Sequence, residues 1–85
     1  MNREHTLFHL HEAAEELQRT IHEIGNEPEY DYGEFSVAME HLYHHLNTAW
    51  NARDESPERI RSSSDTDFFR WRQFPQDIDL GPEAL

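Results

Sequence analysis

Residues 7–24 read LFHLHEAAEELQRTIHEI, and their apolar positions Leu7, Leu10, Ala14, Leu17, Ile21 and Ile24 step by three, four, three, four and three. A second stretch, residues 35–49, reads FSVAMEHLYHHLNTA and sets Phe35, Met39, Leu42, Leu46 and Ala49 at steps of four, three, four and three. This is the helical period, written as a heptad-like stripe, and not the two-residue alternation of a strand. Between the stripes lies GNEPEYDYG (residues 25–33), a run of turn formers. Two helices joined by so short a loop lie antiparallel. The sequence therefore predicts an all-α protein: a long antiparallel helical hairpin with one or two short C-terminal helices packed across it.

Local signals place the boundaries of a single small helical domain over 1–85. Helix 1 is expected over about 3–24, starting at Asn2 or Thr6 as cap and stopping where Gly25 offers a left-handed C′ residue and Pro28 blocks continuation. Helix 2 is expected over about 32–52. Asp31 is its N-cap, Glu34 stands at N3 as in a capping box, and Tyr30 and Phe35 have the spacing of a hydrophobic staple. Ser56 before Pro57 predicts a short helix over about 57–62. After Ser62-Ser63-Ser64, the acids Asp65 and Asp67 predict another over about 65–73, followed by an extended tail at 75–85.

Matching the two stripes pairs positions whose numbers sum to about 59, so Leu17 is expected to meet Leu42 and Leu10 to meet Ala49. That register leaves Phe8, His11, Tyr43 and Trp50 on one flank. The C-terminal run Phe68, Phe69, Trp71 and Phe74 is expected to pack there, and these four aromatics are also the first candidates for a partner-binding face.

Composition excludes several functions. The chain carries 7 Lys+Arg against 18 Asp+Glu, a net charge of −11, and no lysine at all. A phosphate backbone is repelled by such a surface, so direct nucleic-acid binding is not expected. With no cysteine there is no disulfide, thiolate metal site or thiol nucleophile. The start, Met-Asn-Arg-Glu-His, leads into no long apolar run, and no segment reaches the ~20 apolar residues of a membrane span. A cytoplasmic location is the expectation. Three glycines form no phosphate loop, the serines form no nucleophile elbow, and no catalytic residue or cofactor site is assigned.

Seven histidines are the remaining chemistry. His5 and His9, and likewise His41 and His45, stand four apart, the spacing of helical metal ligands. The expected register sets His9 level with Trp50, about 7–8 Å along the axis from His45, so the pairs are not expected to form a joint site. No metal is assigned, and His5, His9, His41 and His45 are the ligands to consider if one binds. His11-Glu12 begins like the zinc-protease helix motif but has Glu15 where the second histidine belongs.

Acidic residues on helix 1, notably Glu12 and Glu16, suit a basic partner. The expected function is accordingly that of a small acidic, non-enzymatic protein-protein interaction or regulatory protein, acting as a homodimer with a protein partner. An acidic nucleic-acid mimic and a histidine-rich metal binder are the alternatives. Protonating the histidines takes the charge from −11 toward −4, and that loss of repulsion is expected to favour self-association in mild acid.

Overall fold

In the computed structural model, which describes residues 1–82, the chain forms four helices: α1 (Arg3–Asn26), α2 (Tyr32–Asn51), α3 (Pro57–Arg61) and α4 (Asp65–Trp71). No strand occurs among the described residues, and none of their helices is long and apolar enough to cross a membrane. The last part of the expected tail, residues 83–85, lies outside the described residues; the rest is irregular.

Each helix begins where a short polar side chain can take up an orphan amide. The side chain of Asn2 accepts from the His5 amide at 3.1 Å, Asp31 from that of Glu34 at 2.9 Å, and Ser56 from that of Arg59 at 3.1 Å. At α4 the box is reciprocal: Ser64 Oγ accepts from the Asp67 amide while Asp67 Oδ2 accepts from the Ser64 amide. The end of α1 differs from expectation. Gly25 is inside the helix, and the only positive φ among the described residues is at Gly81. Asn26 supplies the stop instead, its Nδ2 donating to the His22 carbonyl at 2.8 Å, and the chain turns extended at Glu27 before Pro28.

The hairpin forms, but on a different seam. Facing α2, α1 buries His9, Ala13, Glu16 and Thr20; in return α2 buries Ala38, Thr48 and Ala49, with Ala52 just beyond its end. Leu17 does not pack on Leu42 as the core of the hairpin, nor Leu10 on Ala49: Leu10 and Leu17 are exposed, and Ile21 is 63% exposed. Two causes act together. Small side chains on both faces allow closer helix approach than leucine pairs would, giving dense backbone packing. The register is then pinned from outside the stripes, because the Asn2 amide donates to the Arg53 carbonyl at 2.7 Å and Asn2 Nδ2 to the Glu55 carbonyl at 3.0 Å. Paired positions consequently sum to about 55 rather than 59.

Of the short helices, α4 is held to α2 mainly by asparagines. Asn47 Nδ2 donates to the Arg72 carbonyl at 3.0 Å, and Asn51 Nδ2 to the carbonyls of Trp71 and Gln73, both at 2.7 Å. These donors occupy the unpaired carbonyls at the C-terminal end of α4. Asp67, buried, ties α4 to α3 by accepting from Arg59, and Arg70 joins it at 3.0 Å.

Of the C-terminal aromatics only Trp71 goes inside, at 6% exposure; Phe68, Phe69 and Phe74 remain exposed, Phe74 resting against Tyr43 with ring centroids 5.0 Å apart. Trp50 reaches the tail by donating its indole N–H to Asp77 at 2.9 Å, and Phe8 borders Pro57 and Ile60 of α3. Trp71 is thus the single large anchor of the C-terminal arm. W71A should cost about 3–5 kcal/mol in urea unfolding, whereas F69A, at a half-exposed position, should cost less than about 1 kcal/mol.

Candidate functional site

Taking about 100° per residue, the stripe Leu7–Ile24 is centred roughly 100° around α1 from the buried seam. The α2 stripe is turned by roughly 80° from its own seam. In an antiparallel pair, rotations of this sense bring both stripes to the same side of the hairpin. At the loop end this is directly visible, since Ile24 of α1 and Tyr30 and Phe35 at the start of α2 line one shallow groove. The result is an uncovered apolar face carrying Leu7, Leu10, Leu17, Ile21 and Ile24 with Phe35 and Leu46, all exposed. The docking asparagines of α2, Asn47 and Asn51, point well away from it, so α4 sits on the other side.

On the seam, the open end of the hairpin gathers four histidines. His9 Nδ1 and His45 Nδ1 are 3.0 Å apart, a hydrogen bond in which one ring donates and the other accepts. This corrects the expected separation of the two residues; the changed register and the rotated seam bring them together. His5 packs edge-on to His9 with ring centroids 4.6 Å apart, and His44, which the spacing argument did not single out, lies 4.6 Å from His45 and 5.0 Å from Phe68. Its adjacency to His45 was the available signal, because a fourth ring one residue away reaches the same end of the helix from the neighbouring flank. His41 stands apart, largely exposed, 3.7 Å from Glu16.

Burial lowers the pKa of all four clustered rings, since an imidazolium loses its hydration there. His9 is pushed furthest, to about 4, with the positive forms of His5, His45 and His44 adding to the effect of burial. For His44 the neighbouring His45, Arg72 and His41 add to burial. At His45 the carboxylates Glu12 and Glu16 oppose the lowering without cancelling it. The Nδ1 atoms of His5 and His44 are buried without a hydrogen-bond partner.

As a metal site the cluster offers two converging nitrogens, His9 and His45. Among the described residues, the one trio of His, Asp or Glu donors that falls within 4.8 Å is Glu23, Glu27 and Glu34 near the loop, and this is an exposed to half-exposed acidic group. Burial and the charges of Asp31, Glu27 and Glu23 raise the Glu34 carboxyl, as expected of crowded anions.

The acidic candidates separate in the same way. Glu16 is buried in the seam, bonded to Arg19, while Glu12 is half-buried. Phe68 and Phe69 instead form an exposed patch overlaid by Arg72, whose guanidinium lies 4.5 Å from the Phe69 ring centre.

An unfolded histidine titrates near pH ~6.5, and His9 in the fold near about 4. Between those values the unfolded chain binds more protons, so the stability contributed by the cluster is complete above pH ~6.5 and is lost as pH falls through that window. Melting temperature should drop between pH 7.5 and pH 5.5, and the drop should be markedly smaller in H9Q/H45Q. A parallel fall in both proteins would mean that the cluster does not govern the response.

No family model, curated protein or solved structure matches this chain.

Proposed function

We propose that the protein is a non-enzymatic, cytoplasmic protein-protein interaction module whose docking surface is the apolar face shared by α1 and α2. The observation that carries this reading is that Leu7, Leu10, Leu17, Ile21 and Ile24 of the α1 stripe, with Phe35 and Leu46 of the α2 stripe, are left exposed by the fold. Apolar surface costs about 25 cal/mol for each Å² kept in water, and contiguous patches of this kind mark interaction sites. A face read at i, i+3, i+4 and i+7 fits a helical partner laid along it.

The alternatives have less behind them. Mimicry of nucleic acid needs outward carboxylates in a row, and Glu16 is spent inside the seam. Metal binding needs a third nitrogen beside His9 and His45.

A photo-crosslinking amino acid introduced at position 17 or 21 tests the reading in cells that make the protein natively. Adducts with protein are expected from both positions and not from position 19, which lies on the far side of α1. Absence of adducts from 17 and 21, with the variant protein folded, would remove the proposal.

A further inference from the structure

We infer that the occupant of the apolar face is a second copy of the chain, related by a twofold axis, so that two hairpins close into a four-helix bundle. This rests on the docking reading above and names its partner.

The first argument is area. The chain exposes 6660 Å², whereas a compact monomer of 10.2 kDa exposes about 5,300 Å². The surplus, about 1,300 Å², is more than the roughly 800 Å² per partner that a standard interface buries. Its radius of gyration, 14.8 Å, likewise exceeds the roughly 12 Å of a compact chain of this length.

The second argument is the missing core. Among the described residues no large side chain is fully buried, and the buried apolar residues are four alanines and Trp71. Such a monomer has little apolar burial to offset the conformational entropy lost on folding. Doubling the hairpin supplies the missing layer and adds to the stability of each copy.

The third argument is charge. A second copy also carries −11, and approach of like-charged surfaces would seem to forbid it. The carboxylates, however, avoid the face. Every glutamate of α1 lies at least about 100° around the helix from the centre of its stripe, and the same holds for Glu34 and Glu40 on α2. The one charged side chain of α1 near the centre of the stripe is Arg3, at its open end. A face free of carboxylates offers nothing for a basic partner to read and sets no carboxylate against its own copy. Spacing by alternate threes and fours is, in addition, the pattern by which helices of separate chains interlock. Within the chain the large members of that pattern on α1 are unused, because the internal seam is built on His9, Ala13, Glu16 and Thr20 against Ala38, Thr48, Ala49 and Ala52. The helix α4 packs on the opposite side of α2, and α3 borders His5 and Phe8 of α1, so the face is left free.

Sedimentation and light scattering over about 1–200 µM should give twice the chain mass, little changed by salt, since the contact is apolar. L17E/I21E should give the monomer mass with helical circular dichroism retained. Should that variant unfold, nitroxide labels decide: the chain has no cysteine, so I21C reports the face and R19C the far side. Spin–spin broadening is expected for the label at position 21 and not at position 19. Monomer mass for the unmodified protein throughout this range overturns the inference. So does a dimer that survives L17E/I21E, or one without broadening at position 21. If the protein is monomeric yet position 17 crosslinks to another protein, the docking reading stands and only the second copy falls; if neither dimer nor adduct appears, both fall.

Discussion

The close packing of α1 on α2 through small side chains governs everything else in this molecule. Ala13 on one helix, and Ala38, Ala49 and Ala52 on or just past the other, admit a near approach that leucines would block. With alanines and threonines taking much of the seam, the leucines and isoleucines of α1 lie to the side of it, while His9, His45 and Glu16 are the larger groups it admits. The hairpin therefore holds together on van der Waals contact and a few polar pairs, and its large apolar groups are left over. A coiled-coil reading assumes that the largest residues choose the seam. Here the smallest ones do.

Polar residues inside such a seam must find partners, since an unpaired buried polar group costs about 1–3 kcal/mol. His9 and His45 satisfy one another through Nδ1, and Glu16 is held by Arg19. The His9–His45 bond accommodates one proton between two nitrogens, and burial is the main cause that lowers the pKa of both rings. His41, one turn earlier on α2, faces solvent beside Glu16.

The parts of the structure legible in the sequence are those decided within one helical turn. Asn2, Asp31, Ser56 and Ser64 cap helices through amides three residues ahead, so residue type and spacing suffice to locate them. The helical period of the stripes is local in the same sense, and it gave the hairpin. Rotation about each helix axis is not local. It follows from contacts such as Asn2 with Arg53, whose partners are far apart in sequence, and from alanines that hydropathy patterns rank below leucine. The histidine cluster was hidden for the same reason: a register shift of about four residues decides whether His9 meets His45 or Trp50. The apolar face was visible as a stripe, but its exposure was not.

The C-terminal arm shows how a short segment becomes fixed without a core. An isolated helix of the 7 residues of α4 is far below the length that is stable alone. Its start is closed by the Ser64–Asp67 box, and its end by the amides of Asn47 and Asn51, so the orphan groups at both termini find partners. Asp67 adds a second duty, since its buried carboxylate accepts from Arg59 and Arg70, and the bonds from Arg59 and Ser64 hold its pKa well below the usual carboxylate range. Trp71 then provides the apolar contact. Because α4 is secured by directed hydrogen bonds to one side of α2, it draws none of the large apolar residues of the hairpin toward it. The arm and the open face are therefore two results of one arrangement: asparagines on α2 choose where the arm lies, and the stripes are what that choice leaves uncovered.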